Sequence, residues 1–257
     1  MLIQFKKIIQ IPFNLFGYKI KKISTMDPIM DQDTLFNEIY SFTRKFTMTS
    51  KEKMYALYKA VEYVIKHNLP GDFVECGCWR GGSVMLMAMT ALRLSVTDRK
   101  IYLYDTFNGM PEPSEIDYCL GNKKIQGLRL WKKNQRKEFN QYCYASLDEV
   151  KRNLLLTGYP NSNFLFVQGK TQDTIPQVKP SSISLLRLDT DWYESTKCEL
   201  SYLYPLLVNA GVIILDDYGY WAGSKKAVDE YFLNKRILLN RINSSGRIAI
   251  KIAEYND

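Results

Sequence analysis

Leu186-Arg-Leu-Asp-Thr-Asp-Trp-Tyr-Glu194 and Val212-Ile-Ile-Leu-Asp-Asp-Tyr218 set four carboxylates, Asp189, Asp191, Asp216 and Asp217, at the ends of two apolar, strand-like runs. Carboxylates gathered beside buried chain are unfavourable unless a cation or a reaction uses them. If the two runs are neighbouring parallel strands, all four converge at one carboxyl edge of a sheet, where open α/β folds bind ligands. Asp189, Asp216 and Asp217 offer hard oxygen ligands, and a site that also keeps waters or substrate hydroxyls matches Mg²⁺ better than softer metals. An alcohol loses its proton far above neutral pH, so a polarising metal and a nearby base are the two aids its reaction needs. Asp191, two residues beyond a ligand and just off the strand end, is placed to be that base. Acids at strand ends also cap helices or pair with lysines, and that simpler reading stays open for Asp216 and Asp217.

A second constellation is Glu75-Cys-Gly-Cys-Trp-Arg-Gly-Gly-Ser83 together with Asp105. Gly77 allows a tight turn at a strand end, Gly81 and Gly82 let a ligand lie against the chain, and the following helix offers N–H groups to a carboxylate. Asp105, ending the next strand, is placed to hold ribose hydroxyls. A dinucleotide loop would read G-x-G-x-x-G. Here the glycines are spaced differently and Glu75 would repel a pyrophosphate while suiting an ammonium, which favours S-adenosylmethionine over NAD. An ordinary βα turn is the plain alternative.

The elements that must position these residues form a βα series. Apolar residues three and four apart from Lys51 to Asn68, with Ser50 as N-cap, predict an amphipathic helix. Phe73–Gly77, Lys100–Asp105, Phe164–Gly169, Ile183–Asp189 and Gly211–Asp217 read as strands, and Val84–Leu92, Ser146–Leu156, Ser195–Val208 and Ser224–Leu233 as helices. Ser146 with Glu149 matches a capping box. Two alternating runs around Asn243-Ser-Ser-Gly246 predict a closing hairpin. About seven strands, mostly parallel with an antiparallel last strand, make a three-layer α/β sandwich.

The bulk properties bound the answer. A chain of 257 residues with 46% hydrophobic content and no Pro/Gly/Ser-rich linker reads as one domain. We expect an N-terminal arm over residues 1–45, a catalytic domain over 46–257 and an insertion at about 115–145. The only histidine, His67, leaves little material for histidine zinc sites or Ser-His-Asp catalysis. Five cysteines without a ligand pattern fit a reducing, cytoplasmic setting. The net charge of +8 is local: removing residues 1–23 and 121–140 leaves 23 basic and 26 acidic residues. That distribution argues against a nucleic-acid partner. The apolar start is broken by Lys6, Lys7 and Pro12, too short to span a bilayer and unlike a signal peptide. It reads as a packing arm or a weak interfacial anchor.

Several segments in order over about residues 45–235 also resemble a known family, the TylF/NovP-type sugar O-methyltransferases, which methylate sugar hydroxyls on macrolide and aminocoumarin antibiotics. They are Phe46-Thr-Met-Thr-Ser50, Pro70 to Ser83, Asp105-Thr-Phe-Asn-Gly-Met-Pro111, Gly169-Lys-Thr-Gln-Asp-Thr-Ile-Pro176, Leu188 to Thr196 and Ile214-Leu-Asp-Asp-Tyr-Gly219. The resemblance implies a class I, Rossmann-like methyltransferase fold, S-adenosylmethionine as donor, Mg²⁺ on Asp189, Asp216 and Asp217, and Asp191 as base. It places donor contacts at Thr47, Met48, Glu75, Gly77, Arg80, Gly81, Ser83, Asp105, Thr106 and Phe107, with Ser146, Gln172 and Asp173 on the adenine side. The expected acceptor is a sugar hydroxyl on a glycosylated natural product, a nucleotide sugar or a surface glycan, and the expected assembly is a homodimer or higher oligomer. The basic 121–140 insertion departs from the antibiotic enzymes, so a nucleic-acid or lipid-linked acceptor, or donor binding without catalysis, are the competing expectations.

Overall fold

The computed structural model describes residues 27–253. The basic start of the expected arm lies outside the described residues. From Pro28 the chain is already helical, in α1 (Pro28–Gln32) and α2 (Thr34–Thr43), whose N-caps Asp27 and Asp33 accept backbone N–H groups. Phe36 and Ile39 of α2 are completely buried in the same cluster as the sheet, so residues 34–43 contribute to the common core.

The order that follows is α3 (Lys51–Lys66), β1 (Asp72–Cys76), α4 (Gly82–Arg93), β2 (Ile101–Asp105), α5 (Gly127–Asn134), α6 (Leu147–Leu155), β3 (Phe164–Gln168) and α7 (Thr171–Thr174). Then come β4 (Ile183–Leu188), α8 (Tyr193–Leu203), β5 (Leu207–Leu215), α9 (Ala222–Phe232), β6 (Asn240–Arg241) and β7 (Arg247–Ile250). Ser50 caps α3 and Ser146 caps α6, as the sequence predicts. Glu149 does not close the capping box, because its carboxylate pairs with Arg80 at 2.5 Å.

The seven strands form one sheet in the order β3-β2-β1-β4-β5-β7-β6. β1 to β5 run parallel, and β7 is antiparallel to β5. Alternation splits the strand side chains between two apolar layers. Phe73, Leu185, Val212 and Ile214 face a layer built with α2, α3, α4 and α6; Val74, Leu186, Ile213 and Leu215 face a layer built with α8 and α9. The chain leaves β1 toward β2 on one side and reaches β4 on the other. That switch point puts a crevice above the carboxyl end of β1.

Three boundaries differ from the sequence reading. The helix expected to reach Val208 stops at Leu203, because Pro205 cannot continue it, and a 3₁₀ turn leads straight into β5. β5 therefore begins at Leu207 and ends at Leu215, so Asp216 and Asp217 lie just beyond it. The closing hairpin pairs only short strands, Asn240–Arg241 with Arg247–Ile250.

Candidate active site

Strand register dictates the centre of the site. Glu75 on β1 pairs in register with Arg187 on β4, and both point to the α3 side of the sheet with the same parity as Phe73 and Leu185. Asp216 continues the parity of Val212 and Ile214, so it meets the same group. Arg187, 1% exposed, pairs with Glu75 and Asp216, lies 2.9 Å from Asp189 and donates to Thr49 at 3.0 Å. Lys53, on the buried stripe of α3, pairs with the other oxygen of Asp216. Burial opposes charge here, yet surrounding carboxylates hold the Arg187 guanidinium charged.

On the cavity side, one oxygen each of Asp189, Asp191 and Asp217 lies within 4.8 Å of the others. Asp191 belongs to the converging trio, whereas Asp216, expected among its ligands, turns both oxygens into Lys53 and Arg187. Asp216 thus pairs with a lysine while standing beside Asp217 at the end of β5. Asp217 Oδ2 is buried with no hydrogen-bond partner among the described residues. Burial, followed by the Asp189 carboxylate, raises Asp191 to about 7, and burial with Asp191 beside it raises Asp217 well above the usual range. The backbone of Asp191 is left-handed, with φ 68°. Thr190 anchors this turn by donating to the fully buried Glu199, 2.8 and 3.1 Å from its two oxygens.

A cavity of about 300 Å³ runs from this trio across the end of β1. Of the expected donor-binding residues, Thr47, Met48, Gly77, Ser83, Asp105 and Thr106 line it. Gly77 is required: at φ 79° an added Cβ would sit 2.1 Å from the Asp189 carbonyl oxygen, where β1 and β4 close together. Asp105 accepts N–H groups from Cys78 at 2.8 Å, Trp79 at 3.2 Å and Phe107 at 2.8 Å. A carboxylate has about four acceptor sites, so little capacity remains beyond holding the loop.

The other expected donor contacts are not among the lining residues. Glu75 is fully buried beneath the loop and serves Arg187, since strand alternation points it into the α3 layer. Arg80 pairs with Glu149 and reaches the Lys45 carbonyl at 3.3 Å, while Gly81 lies against Val150 and Leu154. Phe107 is buried against Phe166, Ser146 is committed to capping α6, and Gln172 and Asp173 lie on α7 outside the lining. Conversely, the cavity recruits Met110, Pro111, Tyr142, Cys143, Tyr220 and Trp221, which sequence reasoning missed because they sit in irregular segments without periodicity. Arg187 and Lys53 did carry a signal: each is a charge inside an apolar pattern.

A sheet of this order, with a glycine loop after β1, an acid ending β2 and carboxylates beyond β4 and β5, defines the class I methyltransferase fold. Residues 41–247 match the family model described as macrocin O-methyltransferase (TylF), and the chain belongs to that family of O-methyltransferases. It is 35% identical over 185 residues, 72% of this chain and 67% of the relative, to demethyldecarbamoylnovobiocin O-methyltransferase of Streptomyces niveus. It is 30% identical over 185 residues, 72% of this chain and 69% of the relative, to mycinamicin III 3''-O-methyltransferase of Micromonospora griseorubida. The solved structure of the O-methyltransferase NovP superposes with a TM-score of 0.71 at 32% identity, covering 81% of this chain and 83% of that one. No helix among the described residues is long and apolar enough to cross a membrane.

Proposed function

We propose that the chain transfers a methyl group from S-adenosylmethionine to a sugar hydroxyl, with Mg²⁺ at the carboxylate floor. The observation that carries this reading is the convergence of Asp189, Asp191 and Asp217, with Asp217 Oδ2 unpartnered, at the end of the cavity that the glycine loop and Asp105 line. This chain shares a family with demethyldecarbamoylnovobiocin O-methyltransferase and mycinamicin III 3''-O-methyltransferase, and another relative, 32% identical over 185 residues, is named as a 4'-O-methyltransferase of a rhamnosyl-tetracenomycin, a compound that bears a sugar.

The residues present fit both groups. Among the described residues, five carboxylates, Glu75, Asp189, Asp191, Asp216 and Asp217, pair or cluster with two cations, Lys53 and Arg187, leaving an excess of three negative charges when all are ionised. A divalent cation with a donor of net charge one balances that excess, and the donor set is all hard oxygen. We infer that Asp189 and Asp217 hold Mg²⁺, with Asp216 on their flank as a third carboxylate shared with Lys53 and Arg187. A divalent ion held there would make a sugar hydroxyl more acidic. The N-terminus of α4, which no side chain caps, suits the donor carboxylate.

Asp191 takes the hydroxyl proton. Its carboxylate lies beside those of Asp189 and Asp217, within reach of a hydroxyl held there. Methyl transfer needs in-line approach of the oxygen to the sulfonium carbon, so most of the acceleration comes from positioning. The Thr190–Glu199 contact fixes the turn that aims Asp191, and Trp221, Tyr220 and Met110 wall the acceptor side of the cavity. The test is a mass shift of one methyl group on candidate glycans incubated with donor and Mg²⁺. No shift across a broad sugar panel, with donor bound, would favour donor binding without catalysis.

A further inference from the structure

The seven basic residues between Lys123 and Lys137 are all exposed, and none pairs with an acid among the described residues. Lys123 lies 5.8 Å from the centre of the Tyr118 ring, and Arg136 donates to Gln141 and to the Gln135 carbonyl. By contrast, α9 sets each of its lysines against an acid one turn on, Lys225 with Asp229 and Lys226 with Glu230. The basic strip is thus a concentration of unneutralised charge on a chain whose described remainder pairs many of its bases.

This strip is fixed to the active-site wall. Leu130 of α5 packs on the cluster of Cys119, Trp192 and Trp221, and Trp131 Nε1 donates to the Met110 carbonyl at 2.9 Å. Gly127 N donates to the Asp117 carbonyl at 2.7 Å, while the Asp117 carboxylate accepts Tyr193 N at 2.9 Å, two residues beyond Asp191. A second cavity of about 630 Å³ adjoins the first across Met110, Pro111 and Lys170. Trp131 and Gln135 line it together with Glu112, Glu138 and Lys170; the seven basic residues stand outside the lining, with Lys132 and Arg136 next to Trp131 and Gln135 in the chain.

We propose that this strip binds phosphate groups joined to the acceptor sugar, so that the substrate is a phosphate- or diphosphate-linked sugar rather than a neutral glycoside. The proposal rests on the sugar methyltransferase reading and names its substrate class. The carboxylate floor repels anions and accepts a hydroxyl; the basic strip on the neighbouring wall attracts anions. Together they orient a sugar whose free hydroxyl and phosphate lie at opposite ends. Seven cations against Glu138 exceed what a single carboxylate would need, while closely spaced phosphate charges use several Lys and Arg donors at once. Leu130 and Trp131, the half-buried apolar residues at the middle of α5, are engaged with the wall rather than turned outward. A single eight-residue helix is also too short to track a duplex.

The test uses the full chain without metal, titrated with inorganic pyrophosphate and with uridine diphosphate, and compares it with the variant K132Q/K133Q/R136Q. Binding of both probes should weaken about tenfold or more in the variant, and also as salt rises, while S-adenosylhomocysteine binding stays unchanged. With Mg²⁺ and donor, a nucleoside-diphosphate sugar and a polyprenyl-diphosphate sugar separate the two sources of the same chemistry. The one that is methylated should show a raised KM in the variant at unchanged kcat. Equal pyrophosphate binding by both proteins, displacement of pyrophosphate by short RNA at far lower concentration, or turnover of a neutral methyl glycoside with the same KM in both would overturn the proposal. Failure of the unmodified chain to bind S-adenosylhomocysteine would instead overturn the methyltransferase reading beneath it.

Discussion

Thr190 and Glu199 join the active-site turn to the helix behind it: the Thr190 hydroxyl lies 2.8 and 3.1 Å from the two oxygens of a carboxyl group that has no solvent exposure. Thr190 separates Asp189 from Asp191, and Asp191 holds a left-handed φ of 68° that a non-glycine residue keeps only when its surroundings impose it. Glu199 supplies that constraint from α8.

Glu199→Gln retains an acceptor for Thr190, and Glu199→Ala removes it. The alanine variant should lose about tenfold or more in kcat, in line with roughly 1–3 kcal/mol for an unmet buried partner, while the glutamine variant stays near the parent. Burial raises Glu199 from 4.5 to about 8, with Thr190 opposing as a donor to its charged form. A raised acid pKa means that the folded state binds more protons than the unfolded one between those values, so this group's contribution to stability falls as pH rises from about 4.5 to 8. Thermal unfolding of Glu199→Gln should therefore show a smaller decline over that window than the parent. Identical declines would remove Glu199 from the account.

Arg187 neutralises Glu75, Asp189 and Asp216 from one buried position. Arg187→Met should destabilise the fold by roughly 3–5 kcal/mol in urea unfolding, because it leaves buried carboxylates without their partner. Lysine should not rescue it, since one ammonium cannot reproduce the planar fork that contacts three carboxylates. A loss under 1 kcal/mol would show that these acids are neutral without Arg187.

The fold was legible in the sequence where period and chemistry agreed. The α3 stripe, the Ser50 and Ser146 caps and five core strands follow from residue pattern and appear at the expected places. The four acids carry a signal in the sequence, but it does not show which way Asp216 turns, because that depends on Lys53, 163 residues away in the chain. The surroundings of Glu75 depend on tertiary pairing in the same way. An acid next to a glycine loop reads as a ligand contact, and only the β1–β4 register reveals that it faces Arg187 inside the sheet. The cavity walls at Tyr142, Cys143 and Tyr220 come from loops whose course is set by tertiary contacts rather than local pattern.

Asp217 tests the metal. With Mg²⁺ at a hundredfold excess over its Kd, the parent should gain about 2.7 kcal/mol, or roughly 5–10 °C in Tm for a domain of this size. Asp217→Asn should abolish that gain, because the unpartnered oxygen is replaced by a neutral group. Chelation should stop turnover in the parent, and full activity after exhaustive chelation would exclude the metal.

The most direct measurement concerns Asp191, paired with a titration of S-adenosylhomocysteine. Asp191→Asn should lower kcat by about 10²–10⁴ fold, the range for losing a general base, while leaving S-adenosylhomocysteine affinity unchanged. Near-normal turnover in the variant would contradict the assignment of Asp191 as the group that takes the hydroxyl proton.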